Sequence, residues 1–517
     1  MEYAITVKGA NETLSIPGAS EESLLSALLR GGITQVDAPC GGKGRCGKCG
    51  VAVTGPVRTI DTNEVRTAED ELLLACRYAP AGDCVLTLPA TADMHVVTDG
   101  AGRLPAGGEG LGLAVDIGTT TVAVFLYDLA TGTSLGSVGE RNAQRGFGAD
   151  VISRITACGE GKLPALRDGI RDQIVSLAER LCRRAGRTTA DIRKVTVAGN
   201  TVMEHLFDGL DPTGIGVAPF RPESLFDDHR PAAAVLPALG TDADVYLCPC
   251  VSGYVGGDIT AGLVASGADR AEGLWLYMDI GTNGEMALGD RDGFLTCATA
   301  AGPAFEGAEI ACGMDGSAGA IDKVWVEDGD IAVHVIGEGT ARGLCGSGLI
   351  DAVSALLSME VIDETGRMAT ADELPEPLRN RVFTLPDGFG TFRLKDDVYL
   401  AAKDVREVQL AKAAVRAGAE TLLSRMGKTA GDITQLVIAG GFGSFMDKNS
   451  ALHIGLLPQV PVERIRHAGN AAGAGAVLAL HAQGETRLAE FAKKCDYLEL
   501  SSARDFMERY IDCMSFE

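Results

Sequence analysis

The 517-residue sequence has no long apolar run and no cluster of basic residues. A membrane-spanning helix needs about 18 or more apolar residues in succession, and no stretch approaches that length. The N-terminus, Met1–Ile5, lacks the basic segment and apolar run of a secretory signal. A net charge of −24 without clustered Lys and Arg argues against a nucleic-acid partner. We therefore expect a cytoplasmic protein, without membrane contact, whose partners are proteins and small molecules.

The composition is typical of several packed domains. At about 150 residues per domain the length suggests roughly three, and 46% hydrophobic residues with 67 glycines suit α/β units. In a cytoplasmic protein the 14 cysteines are expected to be reduced thiols and cluster ligands rather than disulfides. Sensitivity to oxygen would follow.

Four cysteines near the N-terminus have the spacing of a metal site. Cys40, Cys46 and Cys49 share a Gly-rich segment, and Cys76 follows alone. The glycines let backbone amides turn toward cluster sulfurs, and four thiolates match the ligand count of a 2Fe-2S cluster. A zinc site of four thiolates satisfies the same count, but zinc usually pairs two short knuckles of cysteines. The sequence favours the 2Fe-2S cluster and leaves its potential open.

The residues around this loop predict an α+β domain of the β-grasp ferredoxin type at 1–90. Two alternating segments, Tyr3–Lys8 and Thr13–Ile16, flank a turn and predict a β-hairpin. Ser20 is the predicted cap of a short helix that carries leucines at helical spacing. The Gly-rich composition of 91–111 then predicts a flexible linker, which would let a cluster swing between partners.

A hairpin signature occurs twice in the rest of the chain, at Leu113–Val124 and at Leu276–Ala287. Each copy predicts a buried strand, a tight Gly-Thr turn and a second strand. In such a hairpin, turn amides and Thr hydroxyls can cradle phosphate oxygens, while the strand-end Asp116 or Asp279 holds a Mg²⁺ water.

A second pair of segments follows the two hairpins in the same order. Asp191–Asn200 and Asp432–Gly441 each predict a strand that ends in Ala-Gly before a helix. The chain from about Gly112 is therefore a tandem duplication, and it resembles the superfamily of acetate and sugar kinases, heat-shock chaperones and actin. In that superfamily two ribonuclease-H-like domains clamp ATP in the cleft between them.

This resemblance implies duplicated α/β ribonuclease-H-like domains of an actin-like ATPase, at 112–270 and at 271–517, the second with a C-terminal extension. The residues that would bind ATP lie in three loops: Gly118, Thr119 and Thr120 in the first phosphate loop, Gly281, Thr282 and Asn283 in the second, and Gly440, Gly441, Phe442 and Gly443 in the adenosine loop. Gly346 and Ser347 open another helix and could present amides to the nucleotide. The small residues of 468–475 are more typical of close helix packing.

Four carboxylates are candidates for the ATPase chemistry. Phosphoryl transfer depends on positioning and charge, with Mg²⁺ bridging the phosphates and a carboxylate orienting water. Asp116 and Asp279 are the candidates that would organise the metal. Glu285 and Asp258 either orient the attacking water or are capping and solvated acids, and the sequence does not decide between these roles.

The order of ferredoxin, linker and duplicated ATPase closely resembles the reductive activators of corrinoid proteins over nearly the whole chain. Segments Ser252–Ala261 and Asp404–Arg416, with the cysteine loop, are similar to that family in particular. Some members are longer between linker and ATPase, so a separate middle domain is expected to be missing or reduced here.

The resemblance implies an ATP-dependent transfer of one electron from the 2Fe-2S cluster to a Co(II) corrinoid protein of a methyltransferase system, which regenerates Co(I). A low-potential donor would supply the electron, and a homodimer is a plausible assembly. Because plant-type clusters lie near about −400 mV and the cobalt couple is expected to lie lower still, the reduction is uphill. Closure of the cleft around ATP would supply the difference.

Three other functions share parts of this pattern. A ferredoxin-fused small-molecule kinase would have every phosphate loop and would phosphorylate a sugar or acid. A chaperone-like ATPase would need a β-rich peptide-binding extension, which the sequence lacks. Activators of acyl-CoA dehydratases hold one 4Fe-4S cluster between two subunits, and the four cysteines within this chain argue against that arrangement.

Other reactive side chains are more simply explained as structural. Six further cysteines are expected to be buried, inert thiols: Cys84, Cys248, Cys250, Cys297, Cys312 and Cys345. His205 on a predicted helix is interpreted as structural, while contact with a corrinoid partner stays open. Polar residues at 141–150 predict a cleft-facing loop that ends at an N-cap, Asp150.

Overall fold

The computed structural model describes residues 2–9, 13–31, 33, 36, 38, 41–44, 47–88, 104–337, 339–386 and 388–517. They form two compact units. The first contains the described residues up to Leu88 together with Pro105–Leu247, and the second contains Leu104 and Cys248–Glu517. Among the described residues, no helix is long and apolar enough to cross a membrane.

The N-terminal part of the first unit is a β-grasp sheet with one helix against it. Its elements are β1 (Glu2–Lys8), β2 (Thr13–Ala19), α1 (Leu24–Arg30), β3 (Gly50–Thr59), β4 (Val65–Leu74), β5 (Tyr78–Pro80) and β6 (Cys84–Thr87). The sheet order is β2-β1-β6-β3-β4, with β5 paired to β3. β1 and β2 form the predicted hairpin, and β1 runs parallel to β6. The ferredoxin fold class predicted from the sequence is confirmed.

The predicted cap of α1 is wrong by three residues. Ser23, not Ser20, precedes the helix, and its hydroxyl accepts a hydrogen bond from the Ser26 amide. A capping oxygen must lie just before the first helical residue to reach the amides of the first turn. The leucines behind the cap are buried as predicted and pack in the ferredoxin core.

The rest of the first unit is a mixed sheet flanked by helices. Its elements are β7 (Leu111–Ile117), β8 (Thr121–Asp128), β9 (Thr133–Arg141), α2 (Val151–Gly159), α3 (Leu163–Arg184), β10 (Ile192–Gly199), α4 (Thr201–Asp208), β11 (Asp228–Pro231), α5 (Ala232–Val235) and β12 (Asp244–Leu247). The sheet order is β11-β12-β10-β7-β8-β9. β7 and β8 form the first predicted hairpin, and β10 runs parallel to β7.

The second unit repeats this arrangement around a larger core. Its strands are β13 (Leu274–Ile280), β14 (Gly284–Asp290), β15 (Gly293–Thr299), β16 (Ala320–Glu327), β17 (Asp330–Val335), β18 (Gly343–Leu344), β19 (Val382–Thr384), β20 (Gly390–Lys395), β21 (Val398–Ala401), β22 (Ile433–Ala439), β23 (Ile465–His467) and β24 (Cys495–Tyr497). Its helices are α6 (Gly257–Ser266), α7 (Gly346–Ser358), α8 (Ala402–Arg425), α9 (Lys448–His453), α10 (Ala471–Leu478), α11 (Ala482–Ala492) and α12 (Phe506–Asp512).

The two large sheets confirm the tandem duplication. The main sheet of the second unit has the order β23-β22-β13-β14-β15-β24, and two three-stranded sheets, β17-β16-β18 and β19-β20-β21, accompany it. β13 and β14 form the second predicted hairpin, and β22 runs parallel to β13 as β10 does to β7. Each unit therefore presents a hairpin turn beside the carboxyl end of a parallel strand.

Helix α6 precedes the second hairpin in sequence and packs within the second unit. Its partner is α10, which contains the small residues predicted to permit close helix packing. A Cβ atom built on Gly475 would lie 2.2 Å from the carbonyl oxygen of Ala261, so the two helices touch at their backbones. This contact fixes the N-terminal turn of α6, which carries Asp258.

Candidate functional site

Two of the four predicted ligand cysteines, Cys49 and Cys76, have thiols at a distance suited to one metal ion. The Sγ atoms of Cys49 and Cys76 lie 3.3 Å apart, and Cys49 is buried. Two thiolates bound at about 2.3 Å to a tetrahedral metal lie roughly 3.8 Å apart, close to this separation. Cys40 and Cys46 fall outside the described residues, so the four-cysteine ligand set stays a prediction, and the separation of the Cys49 and Cys76 sulfurs is compatible with it.

Three described glycines of the cysteine loop have a left-handed backbone conformation. Gly41, Gly42 and Gly44 have φ angles of 59°, 80° and 70°. Side chains other than glycine rarely adopt this left-handed region, which turns successive amides to one side of the chain. Arg77 donates a hydrogen bond of 2.8 Å to the Gly44 carbonyl oxygen and fixes the loop from its outer side.

The first phosphate loop, between β7 and β8, is held through its carbonyl oxygens. Asn142 donates two hydrogen bonds of 2.8 Å to this loop: its side-chain Nδ2 donates to the Gly118 carbonyl oxygen, and its backbone N–H donates to the Thr120 carbonyl oxygen. The Arg154 guanidinium donates to the Thr119 oxygen at 2.5 Å. In a trans peptide the N–H points opposite to the C=O, so the amide that follows each held carbonyl points away from these side chains. The loop therefore presents a row of amides, as an anion cradle does.

Two of the residues that hold this loop carry weak signals in the sequence. The polar segment at 141–150 predicted a cleft-facing loop, but not that Asn142 holds the phosphate loop. Arg154 lies inside α2, is fully buried and resembles any helical arginine in the sequence. The predicted N-cap is confirmed, since Asp150 accepts a hydrogen bond of 2.7 Å from the Ser153 amide. Asp116 is half-buried at the end of β7.

Three candidate carboxylates come together at the second phosphate loop. Asp279 on β13 pairs with Glu285 on β14 across the hairpin, and Asp258 lies in the first turn of α6. Burial raises the pKa of Asp279 to about 6. Burial, and then the negative charges of Asp258 and Asp279, raise the pKa of Glu285 well above its ordinary value, against a hydrogen bond from Asn283. Close carboxylates that repel each other form a donor set that a divalent cation would neutralise.

Glu306 is a part of this site that the sequence did not predict. Its carboxylate accepts a hydrogen bond of 2.5 Å from the Thr282 hydroxyl, and the Thr282 carbonyl oxygen accepts one of 3.0 Å from the Gly302 amide. The second phosphate loop is thus fixed by a turn of the same unit. A single acid in a turn has no spacing pattern, so only the fold reveals its proximity to the loop.

The predicted adenosine loop lies against the second phosphate loop. A Cβ atom on Gly440 would come within 2.6 Å of Asp279 Oδ1, which excludes any other residue there. The Phe442 ring stacks on Phe305 at 5.4 Å between centroids, with 4° between the planes. A Cβ atom on Gly346 would meet the Phe442 ring at 2.6 Å, so the N-terminus of α7 adjoins this loop.

The Ser347 side chain is used within the protein. Its hydroxyl donates a hydrogen bond of 3.0 Å to the Asp322 carbonyl oxygen and is buried. Any contact of this residue with a nucleotide would therefore come from its backbone amide.

The side chains interpreted as structural are buried with one exception, because Cys312 is only half-buried and the prediction of burial is wrong for it. Cys248, Cys250 and Cys297 are buried, and burial raises the pKa of the Cys297 thiol. His205 is fully buried: Nδ1 lies 2.6 Å from the Thr201 carbonyl oxygen, while Nε2 accepts hydrogen bonds from two backbone amides. Because Nε2 accepts, the proton is on Nδ1, and burial lowers the pKa of the ring. The structural interpretation of His205 is confirmed.

The chain matches three family models in order. Residues 5–81 match the 2Fe-2S iron-sulfur cluster binding domain, residues 111–271 the RACo middle region, and residues 273–517 the C-terminal domain of RACo, its ASKHA domain. The expectation that the middle domain is missing or reduced is therefore wrong, because residues 111–271, which carry the first phosphate loop, match the middle region of the family.

Relatives with stated activities are similar over most of their length. A corrinoid activation enzyme, RamQ, from Eubacterium limosum is 36% identical over 77% of this chain and 69% of its own. A reductase of the Co(II) methylated amine-specific corrinoid protein from Methanosarcina barkeri is 25% identical over 78% of this chain and 77% of its own. Among solved structures, a reductive activator for corrinoid, iron-sulfur protein matches 100% of this chain and 98% of its own, with 29% identity and a TM-score of 0.70.

Proposed function

This chain belongs to the RACo family of corrinoid-protein activators, and on that premise we propose that it is an ATP-dependent reductase that restores an oxidised corrinoid protein. One electron would pass from a 2Fe-2S cluster to Co(II) and yield Co(I), the nucleophile of methyl transfer. The observation that carries the proposal is the presence, in one chain, of the Cys49–Cys76 thiol pair, 3.3 Å apart, and of a carboxylate cluster at a phosphate loop.

The electron half of the reaction depends on the four cysteines. A cluster held by Cys40, Cys46, Cys49 and Cys76 would store a single electron between donor and acceptor. Each turnover would oxidise the cluster by one electron and reduce one Co(II) to Co(I), so an upstream low-potential donor would have to supply one electron per cycle. The Arg77 hydrogen bond to the Gly44 carbonyl oxygen would hold the glycine loop beside the cluster.

The ATP half of the reaction depends on the two phosphate loops. Asn142 and Arg154 hold the carbonyl oxygens of Gly118, Thr119 and Thr120, which would leave the neighbouring amides to donate hydrogen bonds to phosphate oxygens. Asp116 and Asp279 would organise Mg²⁺, whose charge offsets that of the phosphates. Glu285 or Asp258 would orient the attacking water; the high pKa of Glu285 suits a group that accepts and returns a proton.

ATP is needed because the electron transfer is unfavourable. A plant-type cluster lies near about −400 mV, and a gap of about 59 mV to a lower acceptor reduces the one-electron equilibrium constant tenfold. Binding and hydrolysis of ATP would change the affinity of the activator for the two cobalt states and so drive the reduction. Hydrolysis to ADP and phosphate would then release the reduced partner.

An anaerobic assay tests this proposal. Cluster-reconstituted protein is mixed with Ti(III) citrate, a Co(II) corrinoid protein and Mg²⁺, and the absorbance of Co(I) is followed with ATP, with ADP and without nucleotide. We expect Co(I) to accumulate only with ATP, and Cys49→Ala to abolish its formation. Equal rates without nucleotide would refute the ATP dependence. Phosphorylation of a sugar or acid without any Co(I) would point to a kinase instead.

A further inference from the structure

One polar segment of the first unit lies between the first phosphate loop and the ferredoxin fold. It runs from Asn142 through the 3₁₀ turn Ala143–Phe147 to Gly148. Asn142 bonds the phosphate loop twice, as described above, and its Oδ1 accepts the Gln144 amide at 2.8 Å. The same side chain therefore closes the turn and holds the loop.

Arg154, inside α2, bonds both the first phosphate loop and the segment Asn142–Gly148. Its fully buried guanidinium donates to the Thr119 oxygen, to Gln144 Oε1 at 3.2 Å and, through Nε, to the Gly148 oxygen at 3.1 Å. The planar arginine fork carries five donors in fixed directions, so one group can hold three acceptors in one arrangement. A movement of Thr119 must therefore move the turn or break one of these bonds.

The far side of the turn packs against the cysteine loop. A Cβ atom on Gly146 would lie 2.3 Å from Leu29 Cδ2 of α1, so the turn leaves no room for a methyl group there. A Cβ atom on Gly41 would lie 3.3 Å from the Phe147 carbonyl oxygen. Gly41 follows the predicted ligand Cys40 directly in sequence. The turn is thus in contact with the phosphate loop on one side and with the cluster loop on the other.

We infer that the segment Asn142–Gly148 is a relay between the nucleotide and the iron-sulfur cluster, with Arg154 as its positioning residue. The inference rests on the proposed function only in taking the two loops as the nucleotide and cluster sites. A phosphate that binds the amides of the first loop pulls on the carbonyls behind them. Arg154 and Asn142 transmit that pull to the turn, and the turn transmits it to the backbone beside Cys40.

Linkage turns the relay into a measurable quantity. If a bound nucleotide changes the free energy of reducing the cluster, then reducing the cluster changes the affinity for nucleotide by the same factor. Couplings between two sites in one protein are typically about 5-fold or more. The dissociation constant of a non-hydrolysable ATP analogue should therefore differ by at least about fivefold between the oxidised and the reduced wild-type protein.

The variant Gly146→Val tests the relay without touching either site. Its side chain collides with Leu29 and separates the turn from α1, while the bonds to the phosphate loop remain. We expect the oxidised variant to bind the analogue with unchanged affinity. The ratio of the dissociation constants of the oxidised and reduced protein should fall to about one, and the paramagnetic resonance spectrum of the reduced cluster should no longer respond to the analogue. Adding Leu29→Ala makes room for the valine and should restore the ratio.

Arg154→Lys and Gly159→Ala form the second comparison. Lysine keeps the charge but not the fork, so we expect at least tenfold weaker nucleotide binding and no redox dependence. Gly159 ends the same helix in open space, and its substitution should change neither quantity. The relay is overturned if the dissociation constants of the oxidised and reduced wild type are nearly equal, or if Gly146→Val keeps the same ratio of these constants as the wild type. Either result leaves ATP-dependent Co(I) formation standing, and absence of that activity alone leaves the relay standing.

Discussion

At the scale of single residues, the carboxylates of the second phosphate loop weaken the fold that holds them. Burial raises the pKa of Asp279 to about 6, and burial with the charges of Asp258 and Asp279 raises that of Glu285. A carboxyl group with a higher pKa in the folded than in the unfolded protein binds more protons when folded. The folded state therefore loses stability as the pH rises from about 4 to about 6. A divalent cation would return that stability by pairing with the charges.

We expect Asp279→Asn to abolish ATP hydrolysis and yet to raise the stability of the metal-free protein at pH 7.5. The amide keeps the shape and removes one charge, a gain on the order of 1–3 kcal/mol for a pKa shift of this size. In the wild type, Mg²⁺ should raise Tm more at pH 7.5 than at pH 5, because protonated carboxyls bind it poorly. Thermal denaturation and phosphate release measure both effects.

Asp292→Asn is the matched control for that substitution. Asp292 is exposed in the turn between β14 and β15, so its loss should change neither the response of Tm to Mg²⁺ nor the rate of hydrolysis. If Asp279→Asn were instead less stable than the wild type and still responded to Mg²⁺, the carboxylate cluster would not be the metal site.

Residues whose roles depend on local chain chemistry were predictable at this scale. Gly41, Gly42 and Gly44, expected to let the backbone turn, have positive φ, and Asp279 lies near the end of a strand as the hairpin motif predicted. Arg154 and Glu306 were not predictable, because each acts on a loop distant in sequence, 35 and 24 residues away. Neither residue belongs to a spacing pattern, and their hydrogen bonds exist only once the sheets bring the segments together.

At the scale of elements, the contact of α6 with α10 decides where Asp258 lies. Gly475 and Ala261 let the two backbones approach until no methyl group fits between them. Asp258 begins α6 and raises the pKa of Glu285 through its charge, so the helix contact and the carboxylate cluster are linked.

Replacement of glycine by alanine should lower the stability of the protein at one position and raise it at another. Gly475→Ala adds a methyl group against the Ala261 backbone and should destabilise the protein by about 1–3 kcal/mol, while the displaced α6 lowers the rate of ATP hydrolysis. Gly169→Ala, inside α3 with nothing within 4 Å of the new carbon, should stabilise by about 0.5–1 kcal/mol, because alanine is the better helix former. Chemical denaturation of both variants measures the two changes in the free energy of unfolding. An equally tolerated Gly475→Ala would mean that α6 is free to shift.

Much of the element order could be predicted from periodicity and repeats. The ferredoxin hairpin, both phosphate hairpins and the small-residue helix α10 lie where local patterns indicated. The cap of α1 was missed because Ser20 and Ser23 are equally good capping residues, and only the start of the helix distinguishes them. The packing of α6 in the second unit was also beyond sequence pattern, since the surface of α10 that receives it lies about 200 residues later.

At the scale of the whole molecule, the ferredoxin fold and the first phosphate loop belong to one compact unit, and most of the predicted linker 91–111 lies outside the described residues. Even modules that only a short flexible linker joins meet at an effective concentration of about millimolar. That exceeds the micromolar concentration of an ordinary assay, so an electron should reach the corrinoid partner from the chain that hydrolyses ATP.

Mixing two inactive variants tests whether the same chain must both transfer the electron and hydrolyse the ATP. Cys49→Ala should hydrolyse ATP without forming Co(I), and Asp279→Asn should keep the visible spectrum of the cluster without hydrolysis. An equimolar mixture should remain inactive, because neither chain carries a working pair, whereas wild type diluted with either variant should keep its activity per wild-type chain. Formation of Co(I) is followed by its absorbance under anaerobic conditions. Its recovery in the mixture would show that one chain supplies the electron while another hydrolyses the ATP. Cooperation between chains would then be a requirement of the reaction, and the effective-concentration argument would be wrong for this protein.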